Sequence, residues 1–184
     1  MKFITPSLET ERLLLKKGNA LDYEKVYEYD FKKLRNINGE FESVKQDKKY
    51  IEGYETYADR IDGVFDWIIY LKNSNIPIAN ITANREDKIN NAIELSFNTH
   101  PNYWRHGYTT EALICVLNFL FEYKYDNVFC GYSEGNIKSK NLINKFGFQP
   151  YKTIYNSWIK DGISITDYRT ILTKDKFYNL YKKT

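Results

Sequence analysis

The sequence predicts an α/β (α+β) domain: a mixed, mostly antiparallel twisted sheet of about seven strands flanked by about four helices. Three runs of strand character, Val64–Leu71, Ile76–Arg85 and Ala92–Thr99, are joined by short polar turns at Lys72–Asn75 and Glu86–Asn91, which is the pattern of an antiparallel meander. The third run leads into a segment of helical period and then a further strand, Asn127–Tyr132. Ala92 to Tyr132 is thus a βαβ unit, whose strands should be parallel with a right-handed crossover. Asp161-Gly162 closes a last hairpin between Gln149–Ile159 and Ser164–Leu172.

Taken in order, Arg12–Lys16 reads as the first strand, and Asn19 as the N-cap of a helix over Leu21–Tyr29 with Val26 and Tyr29 inward. Phe31–Phe41 is irregular and contains the turn dipeptide Asn38-Gly39. Ser43–Arg60 reads as a second helix, with Val44, Tyr50, Ile51, Tyr54 and Tyr57 at mixed helical spacings. In Ala92–Thr99, Ile93, Leu95 and Phe97 alternate with Glu94 and Ser96, the period of a half-buried strand. Pro101 cannot donate to a ladder and ends it. From Thr110 the spacing changes: Ala112, Leu113, Val116, Leu117, Leu120 and Phe121 line one side of a helix, and Ile114, Cys115 and Phe119 widen the stripe. This helix is expected to be the central, mostly buried one. A shorter helix over Ile137–Phe146 is bracketed by Asn136 as N-cap and Gly147 as the residue past its end. Lys174–Tyr181 suits a short terminal helix. No repeat or linker interrupts the chain, so residues 1–184 read as one domain.

Composition narrows the function classes. A net charge of +3 with interspersed signs argues against nucleic acid. The N-terminal stretch carries no long apolar run, so neither a signal peptide nor a membrane span is expected. Cys115 falls on the apolar helix and Cys130 in a strand; two such cysteines read as reduced core residues, which points to the cytoplasm. His100 and His106 are the two histidines, and their spacing lacks a third ligand, so no metal site is expected. Neither GxGxxG nor GxxxxGK[ST] occurs.

Between strand and central helix lies Trp104-Arg105-His106-Gly107-Tyr108-Thr109-Thr110-Glu111. A helix start leaves about four N–H groups unpaired and carries partial positive charge. With Gly107 allowing close backbone approach and Arg105 nearby, phosphate oxygens could be held there. An ordinary capped helix, with Thr109 or Thr110 as N-cap and a solvated Arg105, accounts for the same residues.

The order of motifs carries a resemblance. Thr10-Glu-Arg-Leu13, Glu94 in a strand, Tyr103-Trp-Arg-His-Gly-Tyr-Thr-Thr-Glu-Ala112, Asn136-x-x-Ser139 and Lys145-Phe-Gly-Phe148 together resemble the GNAT superfamily of acyl-CoA-dependent N-acetyltransferases. Within it the chain is most similar to the ribosomal-protein N-terminal acetyltransferase-like (Rim-type) subgroup, over about Leu8 to Leu172. The resemblance implies a GNAT fold and acetyl-CoA as cofactor, released as CoA. It implies that Arg105, His106, Gly107, Tyr108, Thr109 and Thr110 hold the pyrophosphate. Phe97, Asn98 and Thr99, splaying from Asn127–Tyr132, would pair with the pantetheine arm, and Asn136 and Ser139 would touch the cofactor from the other side. Two departures stand out: the family loop usually has small residues at the places of Arg105 and Thr109. A side chain held at positive φ there costs on the order of 1–3 kcal/mol.

Acetyl transfer needs a neutral amine held against a thioester carbonyl, and positioning can supply roughly 7–11 kcal/mol of the barrier. Glu94, on the polar face of its strand, is the candidate general base; a carboxylate paired to Arg or Lys explains it equally. Many GNAT enzymes place a thiolate-protonating tyrosine four residues before the Gly-Phe pair, where this chain has Ile143; the Rim-like subgroup also lacks that tyrosine. The thiolate then leaves unaided, at a pKa near about 8.5, or takes a proton from Tyr132 or Ser133. The sequence thus predicts an N-acetyltransferase acting on a primary amine (a protein N-terminus, a polyamine or another small amine) by direct transfer in a ternary complex. The acceptor would lie over Phe31–Arg60 and the hairpin Tyr155–Asp167, drawn by Asp30, Glu40, Glu42 and Glu55. The alternative is a non-catalytic acyl-CoA sensor of the same fold. No membrane or nucleic-acid partner is expected, and a homodimer is possible.

Overall fold

Each strand follows from alternation that buries one face, and each helix from a three-four stripe laid on that face. A computed structural model describes residues 5–27, 64–160 and 162–181. Eight strands form a single sheet in the order β1-β2-β3-β4-β5-β6-β8-β7. They are β1 (Leu8–Glu9), β2 (Leu13–Lys16), β3 (Phe65–Leu71), β4 (Ile76–Asp87), β5 (Ala92–Thr99), β6 (Asn127–Ser133), β7 (Gln149–Lys160) and β8 (Ile163–Thr173). Among the described residues four helices accompany them: α1 (Ala20–Tyr27), α2 (Tyr108–Tyr123), α3 (Ile137–Lys145) and α4 (Lys174–Tyr181). The expected meander β3-β4-β5, the parallel β5–β6 pair and the β7–β8 hairpin are all present.

The sheet has eight strands, one more than expected, because β1 is two residues long and has no period to read. It folds back on β2 through a turn in which Thr10 N donates to Leu13 O at 3.0 Å. The readings at Phe31–Phe41 and Ser43–Arg60, the residues Tyr29, Asp30, Glu40, Glu42 and Glu55, and the turn residue Asp161 lie outside the described residues.

One face of the sheet carries the main core. Leu13, Leu15, Phe65, Trp67, Ile69, Ile81, Ile93 and Leu95 meet Leu113, Val116, Leu117, Leu120 and Phe121 of α2, all buried. Burying a side chain of this size contributes roughly 1.5–3 kcal/mol, so α2 is fixed by its stripe more than by helix propensity. The opposite face holds a smaller cluster in which Tyr23 and Val26 of α1 pack on Ile68 and Tyr70. Asn19 caps α1 as the sequence indicated, its Oδ1 accepting from the N–H groups of Leu21 and Asp22 at 2.9 and 3.2 Å.

Candidate acyl-CoA groove and polar face

The parallel ladder between β5 and β6 is short. It runs from Ala92↔Asn127 to Leu95↔Cys130 and stops, while β5 stays paired with β4 to Thr99 and β6 with β8 to Ser133. Ser96, Phe97, Asn98 and Thr99 therefore line one side of an opening whose other side is Gly131, Tyr132 and Ser133. Strand edges of this kind carry backbone groups that an extended ligand can pair with. Thr99 closes the wide end: its carbonyl accepts from Trp104 Nε1 at 2.7 Å, and its hydroxyl meets that of Thr109 at 2.8 Å.

The loop into α2 has a special backbone. Arg105 stands at φ 65° and Gly107 at φ 81°, on either side of His106. Alternation of left- and right-handed residues turns successive N–H groups to one side and makes an anion-binding concavity. Gly107 is also the N-cap of α2 and offers no side-chain hydrogen bond. Thr109 and Thr110, the capping candidates from sequence, instead lie within the first turn, because the helix starts earlier, at Tyr108. Thr109 takes part in the tie to Thr99. Of the two departures from the usual loop, the one at Arg105 thus carries a strained φ and the one at Thr109 does not. His106 and Tyr108 stack at 5.6 Å between ring centroids. The exposed start of α2 therefore presents free N–H groups and a positive dipole end at the wide mouth of the opening.

Across the mouth, Asn136 caps α3, its side-chain oxygen accepting from Ser139 N at 3.0 Å. Asn136 thus already has a structural task, and Ser139 is joined to it. Lys138, between them, places its ammonium 3.7 Å from the Trp104 ring centroid, bridging the two helix starts.

The two faces of the opening differ in chemistry. On the helix side, Leu95, Phe97, Leu113, Leu117, Cys130, Ile143, Phe146 and Phe148 line an apolar pocket. Ile143 is 2% exposed, so the position to which the resemblance would assign a tyrosine is buried among apolar side chains here. Burial pushes the Cys130 thiol up to about 12, which removes it as a nucleophile near neutral pH. On the opposite side the alternation of β3, β4 and β5 presents Asp66, Asn80, Thr82, Glu94, Ser96 and Asn98, and β8 adds Asp167 and Arg169. Glu94 is held by both oxygens: Arg169 Nη1 pairs with Oε1 and Arg85 Nη1 lies 3.2 Å from Oε2. Asp167 accepts from Ser133 Oγ at 2.6 Å and Ser157 Oγ at 2.7 Å. Burial raises its pKa, but these donors and Arg169 outweigh that and hold the carboxyl below its ordinary value.

Sequence reasoning passed over several residues that shape the site. Arg169 and Arg85 on Glu94 come from two other strands, and no spacing rule joins them. Arg12 and Glu111 were quoted within motifs without a role; they form an ion pair at 2.6 Å. Among the described residues no group of three or more His, Cys, Asp or Glu side chains is arranged to hold a metal ion.

A family model described as an acetyltransferase (GNAT) domain matches residues 12–149. The chain belongs to the GNAT acetyltransferase family. That match spans the βαβ unit, the loop 104–111 and α3, the parts that build the opening. No curated protein sequence matches significantly. Solved structures share the fold at low identity. A GCN5-related N-acetyltransferase from Brucella melitensis superposes with a TM-score of 0.79 at 18% identity, covering 99% of this chain and 85% of that one. A ribosomal-protein-alanine acetyltransferase from Vibrio fischeri gives 0.73 at 14% identity, covering 94% and 98%. A spermidine N-acetyltransferase chimera that includes the Vibrio cholerae protein gives 0.73 at 14% identity, covering 92% and 99%. This GNAT chain is thus an acetyltransferase, and no described helix is long and apolar enough to cross a membrane.

Proposed function

We propose that this GNAT enzyme transfers the acetyl group of acetyl-CoA directly to a primary amine, within a ternary complex. The observation that carries this reading is the β5–β6 opening after Leu95 and Cys130, with the left-handed loop Arg105–Gly107 at its wide end. The residues fit the cofactor's parts. The N–H groups at Gly107, Tyr108, Thr109 and Thr110, with Arg105, would hold a diphosphate, and the stretch of β5 beyond the β6 ladder, Phe97, Asn98 and Thr99, would take an amide-bearing arm. Asn136 and Ser139 flank the same mouth. Acetyl-CoA supplies an electrophilic thioester carbon: the amine nitrogen bonds to it, the carbon–sulfur bond breaks, and the nitrogen gives up a proton.

Helices and apolar side chains fill one side of the opening, so the amine approaches from the polar face. Asp167 lends negative charge there, while Glu94 is balanced by Arg85 and Arg169 and Asp66 is buried. Glu94 is the base in this reading and takes the proton, directly or through water, by loosening one of its two guanidinium partners. How much a base matters depends on the acceptor: an α-amino group with pKa about 7.7–8.0 is roughly a tenth neutral at pH 7, a lysine-like amine near about 10.4 far less. With Ile143 buried among apolar groups, the thiolate leaves without a proton from that position. A cytoplasmic location belongs to this reading too.

A thiol-release assay with acetyl-CoA tests it over polyamines and peptides with free N-termini, after the substrates named for two of the related folds, and over aminoglycosides. Turnover on at least one amine is expected. CoA binding with no turnover on any amine would instead make the chain an acyl-CoA sensor. In the same assay Glu94→Gln should lower kcat by roughly 10²–10⁴-fold and flatten the acid limb of the pH–rate profile; an unchanged profile removes Glu94 from the chemistry.

A further inference from the structure

The N-terminal motif Thr10-Glu-Arg-Leu13 has no part in the chemistry described so far, yet its side chains end at the loop before α2. Arg12 Nε donates to Glu111 Oε2 at 2.7 Å, and Nη2 lies 2.6 Å from the same oxygen. Glu111 Oε1 accepts from the Arg12 N–H at 3.0 Å and from Thr10 Oγ1 at 2.6 Å. The remaining arm of the fork, Nη1, donates to the His106 carbonyl at 3.1 Å. The guanidinium also sits over the Tyr108 ring, 4.6 Å from its centroid. A Cβ built on Gly107 would come within 3.4 Å of Nη2. One side chain thus touches His106, Tyr108 and Glu111, 94 to 99 positions along the chain.

We propose that Arg12 is a positioning residue for the diphosphate of acetyl-CoA, seated by Glu111 and Thr10 and acting through the backbone of residues 105–107. This rests on the reading of that loop as the diphosphate site. Two effects follow from the geometry. First, the His106 carbonyl is committed to Arg12, which fixes the peptide orientations between two left-handed residues and leaves the flanking N–H groups for an anion. Second, Glu111 lies in the first turn of α2, where its carboxylate suits the helix dipole but would repel a phosphate. Arg12 neutralises it at close range. Lysine cannot serve both ends, because it lacks the planar fork that reaches a carboxylate and a carbonyl together.

Calorimetric titration of the full chain with CoA and with pantetheine, which lacks the diphosphate, tests the assignment. Arg12→Lys should weaken CoA binding by on the order of tenfold or more, leave pantetheine binding unchanged and raise KM for acetyl-CoA but not for the amine. Thr10→Val, which removes one hydrogen bond from the seat, should do the same to a smaller degree and serves where Arg12→Lys does not fold. Equal losses for CoA and pantetheine, or none for either, overturn the proposal and leave Arg12 as a structural tie. Wild-type protein that binds neither compound overturns the diphosphate reading itself, a different result from wild-type binding unaffected by the variants.

Discussion

Arg105 shows how two demands meet in one residue. Its backbone is left-handed, which a side chain makes costly by on the order of 1–3 kcal/mol, while its charge stands at a place suited to phosphate. Arg105→Gly separates the two: the melting temperature should rise, as the strain is relieved, and CoA affinity should fall, as the cation is lost. Melting curves and titrations on one preparation read both, and a variant that gains in neither stability nor loses in affinity would remove the strain argument. The sequence showed this position as a departure from the family loop. It did not show that Thr109, the other departure, is free of strain, because Thr109 lies inside a helix that begins one residue after Gly107. Glu94 is a similar case. Alternation put it on the polar face, but Arg85 and Arg169 reach it from β4 and β8.

At the scale of elements, α2 was legible because its stripe is long and nearly all apolar, and α3 because Asn136 and Gly147 punctuate both ends. Gly147 stands at a φ of 80°, and the atom that a Cβ there would meet at 2.5 Å, Leu180 Cδ1 of α4, ends an exposed side chain that can move aside, so the cost lies in the backbone. Gly147→Ala should therefore destabilise the protein by about 1–3 kcal/mol, measured as a shift in the urea midpoint. Its effect on CoA binding should be small beside that of a β-branched residue at Gly107, which has both a positive φ and the Arg12 fork behind it. The two-residue β1 was not legible, since so short a strand owes its pairing to the turn at Thr10 and to the adjacent β2, not to a pattern of its own. Neither was the bond from Trp104 to Thr99, five residues back, which joins the end of β5 to the loop.

For the whole molecule, acid stability follows from how the carboxylates are held. Burial raises the Glu111 pKa, but the hydrogen bonds from Thr10 and Arg12 outweigh it, so the folded value lies below the usual carboxylate range. Asp167 behaves alike. A group depressed on folding contributes stability above its unfolded pKa, about 4, and that contribution is lost as pH falls through the lower folded value. Asp66, raised by burial, acts the opposite way above that range, so urea midpoints should hold or rise from pH 7 to 5 and fall below about pH 4. Glu111→Gln should shrink that fall while lowering stability at pH 7, and an unaltered slope would show that Glu111 contributes nothing to it. The same pair joins the first strands of the chain to the central helix, so acid should loosen CoA binding before the sheet unfolds.

By itself the sequence determined the order and kind of the elements among the described residues, the parallel pair within an antiparallel sheet, and the polar loop that opens the central helix. These rest on spacing along the chain, where periodicity, caps and glycines act over a few residues. Which partners the charged groups take was decided by the tertiary structure. Arg12 with Glu111 and Glu94 with Arg169 are separated by 99 and 75 residues, and their pairing depends on which strands lie side by side and where α2 crosses the sheet. An ion pair needs two side chains to converge within a few ångströms, and no local pattern encodes that distance.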